Sequence, residues 1–392
     1  MSVDVSFSER LSHIMLLTNA LALQGLPMDS ARNEARKLEE EIRGKATSMT
    51  EYQEKLQQAL NAFLMPIESA PEATQQPSNN EILNHQGPSY GEYRYATFHA
   101  DGQSATIFKA AAKDENGPSK IVALKVTYPS IMHPPHNVER EGRLLVKARH
   151  EHVVPLLETL HLPSGRFMLV FPFLRYDLEN LLRSGWLDRR RAKMVFDGLF
   201  QALEHIHGLG MIHRDVKPSN IMLASMEGPV YLIDFGITWL AEDKDCEPAN
   251  AKITDVGTTC YRPPELLFGY RSYDSSLDMW AAGCIVAEMV RGGGLPLFDG
   301  GAVGSELGLI KSIFTTLGTP NNEIWPSASL YPDWGKMKFQ EYPGKAWKDI
   351  LPGTTSRSID FVRTTVCYEP TRRLSASQAL KHGLDRWDFA QT

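Results

Sequence analysis

The sequence predicts an α+β protein of more than one domain, and three observations carry that expectation. At 392 residues the chain exceeds one average domain. Apolar residues recur at helical spacing through the first 65 positions. Beyond them, short apolar runs bounded by turn residues, such as Ile121–Val126 and Met168–Phe171, alternate with helical patterns such as Lys193–Gly208. Hydrophobic residues make up 42% of the chain, enough for a sizeable core.

Composition narrows the function classes. The net charge is −6, and Arg189-Arg190-Arg191 is read as the start of a solvated helix, so no nucleic-acid footprint is expected. Cys246, Cys260, Cys284 and Cys367 form no CxxC pair and read as thiols in a reducing compartment. The N-terminus lacks a basic segment followed by an apolar one. The run Ile14–Leu26 is broken by Thr18, Asn19 and Gln24 and is too short to span a bilayer. The expectation is a soluble protein of the nucleus and/or cytoplasm, without membrane or direct nucleic-acid partners.

Taken in order, Leu11, Ile14, Leu17 and Leu21 mark a first helix that Gly25-Leu26-Pro27 stops. Asp29 or Ser30 is expected to cap a second, with Ala31, Ala35, Leu38 and Ile42 on its apolar face and Glu39-Glu40-Glu41 solvated opposite. Thr50 would cap a third carrying Tyr52, Leu56, Ala59, Leu60 and Phe63. None buries its face alone, so a three-helix bundle is expected over residues 1–65. The string EARKLEEEIRGKATSMTEYQEKLQQAL resembles the KIX domain, a resemblance covering residues 5–65 that implies a groove for a transcription-factor activation peptide; an unrelated bundle is the alternative. Residues 66–92, rich in Pro, Ser, Gln and Asn, read as a linker.

Tyr95–Phe98 and Thr106–Ala110 read as paired strands flanking Ala100-Asp101-Gly102-Gln103-Ser104-Ala105, and Asp114–Gly117 as a turn. Lys125 sits inside the apolar run Ile121–Val126, where a lysine is costly unless paired. Asn137 is placed to cap the next helix, in which the mid-helix Gly142 costs about 1 kcal/mol relative to alanine. The stretch 211–240 concentrates chemistry. Asp215 and Lys217 lie two apart, Asn220 follows, and Asp234 opens Asp234-Phe235-Gly236. The runs Ile221–Leu223 and Val230–Ile233, joined by the turn Ala224–Pro229, form a hairpin that aims Asn220 and Asp234 at one point, a pair of oxygen donors suited to Mg²⁺.

The string His213-Arg214-Asp215-x-Lys217-x-x-Asn220, followed by Asp234-Phe235-Gly236, resembles the catalytic and magnesium loops of eukaryotic protein kinases. The resemblance covers residues 93–385. It implies a small antiparallel β lobe (93–175), a large helical lobe (176–385), a tail at 386–392, and ATP and Mg²⁺ as cofactors. The roles it implies are Asp215 orienting the substrate hydroxyl, Lys217 on the transferred phosphoryl group, and Thr258 bridging the two. Lys125 would meet the phosphates with Glu141, rather than Glu139, as its helix partner. Asn220 and Asp234 would hold the metal. ATP contacts are implied at Gly102, Ile107, Ala123, Lys125, Phe171, Phe173, Leu174, Asp177, Asn220, Met222 and Asp234.

Gly257-Thr258-Thr259-Cys260-Tyr261-Arg262, Leu297-Phe298-Asp299-Gly300 and Leu317-Gly318-Thr319-Pro320 are similar to the cyclin-dependent kinase group, and Glu265 is expected to pair with Arg373. Three departures stand out. Ala100 and Ala105 replace outer glycines of the phosphate-covering loop. The cyclin-contacting helix sequence is absent. Ile253 takes the place of the threonine usually phosphorylated, with Thr254 beside it, while Arg214, its usual phosphate ligand, remains. Together these look most like the fungal monomeric kinases that activate cyclin-dependent kinases, which implies a cyclin-dependent kinase as protein substrate and no cyclin requirement. The competing reading is a pseudokinase or scaffold whose N-terminal bundle binds transcriptional activators.

Overall fold

The computed structural model describes residues 28–46 with isolated positions between 10 and 59, then 87–101, 105–112, 120–301, 304–382, 384–385 and 388–389. Contacts divide the chain into two units, Met1–Glu81 and Ile82–Thr392. No helix among the described residues is long and apolar enough to cross a membrane.

In the first unit, α1 runs Met28–Lys45, with Asp29 and Ser30 at its N-terminal end. Thr50, Leu11, Leu60 and Phe63 fall outside the described residues, as does most of any groove that a KIX-like unit would present. Leu17, Leu21, Ala35, Ile42, Ala46, Tyr52 and Leu56 form one buried cluster. The expected solvated face needs correction. Glu40 and Glu41 are exposed, but Glu39 is fully buried, because it lies on the stripe Ala35, Glu39, Ile42, Ala46 at helical spacing. Its carboxylate accepts from Arg10 Nε at 3.1 Å, Arg10 Nη2 at 3.0 Å and Tyr52 Oη at 3.1 Å. A buried carboxylate is tolerated there because it is paired and hydrogen-bonded.

The second unit opens with a five-stranded antiparallel sheet, β1 (Arg94–Asp101), β2 (Thr106–Ala112), β3 (Lys120–Thr127), β4 (Glu158–Leu162) and β5 (Arg166–Pro172), in the order β1-β2-β3-β5-β4. Alternation along the strands gives the sheet two different faces. Val122, Leu124 and Val126 pack with Ala96, Ala110, Met168 and Val170 into an apolar layer. The intervening Ala123 and Lys125 look the other way, registered beside Lys109 and Ile107 of β2 and Phe171 and Leu169 of β5. Helix α2 (Val138–Lys147) is inserted between β3 and β4, with Asn137 accepting from Arg140 N at its N-cap. The turn expected at Asp114–Gly117 lies outside the described residues.

A helical lobe follows. After β6 (Tyr176–Asp177) come α3 (Leu178–Ser184) and α4 (Arg189–Gly208). Helix α4 begins at the arginine cluster, four residues before the Lys193 read from sequence, because Asp188 caps it by accepting from Arg191 N. Short strands β7 (Met211–Ile212), β8 (Ile221–Leu223), β9 (Val230–Leu232) and β10 (Trp239–Leu240) carry the stretch 211–240; β8 pairs with β9 as the expected hairpin, and β10 with β7. Helices α5 (Pro264–Leu267), α6 (Ser276–Arg291), α7 (Glu306–Leu317), α8 (Trp347–Ile350), α9 (Ser356–Thr365) and α10 (Ala376–His382) complete the lobe. Every residue of α6 from Leu277 to Val290 is buried, which makes it the lobe's central helix. Glu265 and Arg373, both buried, form a bidentate pair at 2.5 and 2.7 Å.

Gly142 is buried on α2, where an added Cβ would meet Leu169 Cδ2 at 3.4 Å and Thr159 Cγ2 at 3.5 Å, ordinary van der Waals distances. Gly142→Ala is therefore expected to stabilise the protein by about 1 kcal/mol through helix propensity. The readout is a higher urea midpoint at unchanged slope. A lower midpoint would show that α2 needs a closer approach to the sheet.

Candidate active site

The sheet face carrying Ala123 and Lys125 roofs a cavity of about 380 Å³ between the two lobes. Ile107, Ala123, Phe171, Phe173, Leu174 and Met222 supply apolar lining, and Lys125, Glu141, Asp215, Lys217, Asn220 and Asp234 supply the polar end. A concave, mostly apolar site with a few convergent polar groups is the usual form of a small-molecule pocket. His99, His136, Val154, Pro172 and Ile233 also line it and were not singled out from sequence. Ala105 reaches the cavity, whereas Gly102 lies outside the described residues. Asp177 is not among the lining residues. Its carboxylate caps α3, accepting from Asn180 N at 2.8 Å and Asn180 Nδ2 at 2.6 Å.

Lys125 is the centre of the polar end. Its Nζ donates to Glu141 Oε1 at 2.7 Å, Glu141 Oε2 at 2.9 Å and Asp234 Oδ1 at 2.8 Å. Burial alone would pull the ammonium pKa down, but the carboxylates of Asp234 and Glu141 outweigh it and hold the pKa above the ordinary lysine value. The Lys125 charge holds Asp234 well below the usual carboxylate range. Glu139, two residues before Glu141, is exposed.

Asp215, Lys217, Thr258 and Asn220 form the second group. Asp215 Oδ1 accepts from Thr258 N at 3.0 Å and Thr258 Oγ1 at 2.8 Å, and Lys217 Nζ stands 2.8 Å from Asp215 Oδ2 and donates to Thr258 Oγ1 at 3.0 Å. Asn220 Nδ2 donates to the Asp215 carbonyl at 2.8 Å and to Oδ2 at 3.1 Å. The amide protons of Asn220 are thus directed at Asp215, and its Oδ1 is the lone-pair donor left for a cation. Asn220 sits just before β8 and Asp234 just after β9, so the hairpin brings the two to the same end of the cavity.

Two backbone positions of these catalytic loops are strained. Arg214 has φ 70° and Asp234 φ 63°, each in the left-handed region, where a non-glycine residue costs on the order of 1–3 kcal/mol. The carboxylate of Asp278, in α6 and fully buried, holds the first in place. It accepts from His213 N at 2.8 Å, Arg214 N at 2.9 Å and His207 Nε2 at 2.8 Å. Burial would raise its pKa, but the bonds it accepts from His207 and the loop leave it lowered. His213 ties the two loops together: Nε2 lies 3.0 Å from the Ile233 carbonyl and so donates, and Nδ1 accepts from Asp215 N at 3.3 Å. The buried Phe235 meets the His213 ring edge-on at 4.9 Å between centroids. No role for Asp278 was assigned from the sequence. Its task is carried by backbone contacts more than 60 residues away, which no local pattern encodes.

Glu288 of α6 is buried beneath the segment that follows Thr258, beside Tyr261. Burial raises the Glu288 pKa to about 7 from an ordinary 4.5. The folded state therefore holds this proton more tightly than the unfolded chain. The associated stability is fully present below about 4.5 and is lost as pH rises through about 7. Glu288→Gln is expected to gain stability relative to the wild type across that window. Parallel denaturation curves for the two proteins at pH 5 and pH 8 would contradict it.

Comparison with known proteins places this geometry. The protein kinase domain family matches residues 100–384, well over half of the chain. The serine/threonine-protein kinase csk1 of Schizosaccharomyces pombe is 34% identical over 283 residues, covering 71% of this chain and 89% of that protein. Cyclin-dependent kinase 20 of Homo sapiens is 30% identical over 286 residues, covering 72% and 79%. Among solved structures, the yeast RNA Pol II CTD kinase CTDK-1 complex matches with a TM-score of 0.62 and 27% identity over 76% of this chain and 93% of that one. The paired Lys125, the Asp215–Asn220 loop and the Asp234 turn thus stand in a chain that belongs to the protein kinase family, as a serine/threonine kinase related to the cyclin-dependent kinases.

Proposed function

We propose that the chain transfers the γ-phosphoryl group of ATP to serine or threonine hydroxyls in the activation segments of cyclin-dependent kinases, and does so without a cyclin. The observation that carries the chemical part is the convergence of two polar groups on one cavity: Lys125 held by Glu141 and Asp234, and Asp215 held by Lys217, Thr258 and Asn220. In this reading the adenine lies between Ala123, Phe171, Phe173, Leu174 and Met222, and Lys125 meets the phosphates. Asp215, its carboxylate oriented from three sides, positions the substrate hydroxyl and accepts its proton. Lys217 neutralises charge on the phosphoryl group in transit.

The donor set also fits a magnesium ion. Among the described residues no three or more His, Cys, Asp or Glu side chains gather to form an all-protein metal cage. Asp234 and the Asn220 amide oxygen offer the small number of oxygen ligands that suffices when phosphates supply the rest. Bound there, the metal supplies charge neutralisation on the phosphates. Catalysis by this chain is then positioning and electrostatics, without a covalent enzyme intermediate.

The substrate part rests on the altered controls: alanines at 100 and 105, Ile253 at the usual phosphorylation position, and no cyclin-contacting helix sequence. Similarity to csk1 and to a cyclin-dependent kinase supports it. The test uses the full chain alone with Mg-ATP against a panel of unphosphorylated cyclin-dependent kinases and, as a competing substrate suggested by the structural neighbour, an RNA polymerase II C-terminal-domain peptide. The expected result is transfer to an activation-segment hydroxyl, reduced on the order of 10²–10⁴-fold by Asp215→Asn. Preference for the polymerase peptide, or activity appearing only with an added cyclin, would overturn the substrate assignment. No transfer to any protein would overturn the catalytic one.

A further inference from the structure

The segment after Asp234-Phe235-Gly236 contains the acidic stretch Glu242-Asp243-Lys244-Asp245-Cys246-Glu247, which matches no motif. Its contacts point in two directions. Toward the catalytic loop, Glu247 Oε1 and Oε2 accept from Arg214 Nη1 at 2.8 Å and Nη2 at 3.3 Å, and Oε1 also accepts from Ile253 N at 3.2 Å. Toward α2, the Asp245 carbonyl accepts from Arg140 Nη1 at 3.1 Å. Arg143 Nη2 bonds Asp243 at 3.0 Å and Asp245 at 2.6 Å, and Lys147 bonds Glu242 at 2.9 Å. One short stretch therefore grips the helix that carries Glu141 and the loop that carries Asp215.

Arg214 is 1% exposed, so its guanidinium needs a counter-charge in place. Its Nε donates to the Ile237 carbonyl at 2.6 Å, and Nη1 also donates to Tyr273 Oη at 3.1 Å. Tyr273 Oη in turn donates to the Ile253 carbonyl at 2.6 Å. Lys252, also buried, lies over the rings of Trp239 at 4.3 Å and Tyr273 at 5.2 Å and bonds the Ala249 carbonyl at 2.6 Å. The Trp239 indole donates to the Glu247 carbonyl at 2.8 Å. Glu247 thus pairs with buried Arg214 and accepts from the Ile253 N–H, while the Ile253 carbonyl is held by Tyr273, which itself bonds Arg214.

In switchable kinases an activation segment is ordered when a phosphoryl group, carrying negative charge and several acceptor oxygens, engages arginines. Ile253 offers no hydroxyl for that chemistry. We propose that the stretch Glu242–Glu247 is a permanent positioning device in its place: Glu247 orders the segment through Arg214, while Asp243 and Asp245 hold α2, and with it Glu141, in register. The protein is then active without phosphorylation of its own segment. The inference rests on the protein kinase reaction and not on which protein is phosphorylated, so any acceptor the chain modifies serves for its test.

The test starts from full-length protein shown by mass spectrometry to carry no phosphate between residues 237 and 263. Its activity is expected to be full, and unchanged in Thr254→Ala. Glu247→Gln, which keeps the shape and removes the charge, is expected to lower kcat on the order of tenfold or more, by moving the ordered segment into a minor population, with a smaller change in KM for ATP. Glu247→Asp should retain much more activity than the Gln variant. If Glu247 variants do not fold, Asp245→Asn, at a partly exposed position, is expected to lower kcat at unchanged melting temperature. Wild-type kcat in Glu247→Gln, equal losses in the Asp and Gln variants, or a wild type inactive until its segment is phosphorylated would each overturn the proposal. In the fallback, wild-type kcat in Asp245→Asn would do so.

Discussion

The ion pair between Lys125 and Glu141, extended to Asp234, is the contact on which the rest of the active site depends. It joins a strand, a helix and a loop that are distant in sequence, at 2.7 to 2.9 Å. A lysine in the middle of β3 and a glutamate 1% exposed on α2 would each be expensive alone. Removing one partner of such a buried pair costs about 3–5 kcal/mol, because the other is left uncompensated. The pair therefore specifies the position of α2 as much as it stabilises it. Everything toward the phosphates is measured from that position.

The helical lobe solves a related problem with the opposite charge. A strained Arg214 backbone at φ 70° is retained because its own N–H and that of His213 end on the buried Asp278 carboxylate. The same loop is fixed on its far side through His213 to the Ile233 carbonyl. Asp278 and Glu288 lie on one helix ten residues apart, and both are buried. One anchors the catalytic loop, and the other is buried beside Tyr261. A central helix buried from Leu277 to Val290 thereby sets the geometry of the catalytic loop through Asp278.

Much of this was legible in the sequence for physical reasons. The β8–β9 hairpin could be read because two apolar runs flank a polar turn, and that reading alone brings Asn220 toward Asp234. The N-cap at Asn137 was equally local. What could not be read depends on distant pairing. Glu39 looked solvated beside two exposed glutamates, but its place on the helical stripe and its partners Arg10 and Tyr52 put it inside. The start of α4 was local, since Asp188 caps it immediately before the arginine run that had read as a helix start. Glu247 has no motif at all; its meaning appears only when Arg214, 33 residues earlier, lies against it. The Asp177 side chain is a local matter too, since a carboxylate preceding a helix is well suited to capping.

The central claim is that Lys125 and Glu141 act as one unit in the chain by itself, with no partner needed to bring them together. A double-mutant cycle on kcat/KM for ATP, using Lys125→Met, Glu141→Gln and the double variant in otherwise intact protein, tests it most directly. Strong non-additivity is expected: the double variant loses little more than the worse single one, a coupling of about 1–3 kcal/mol. Losses that simply add would contradict it, because they would mean that the two residues do not meet in the working enzyme.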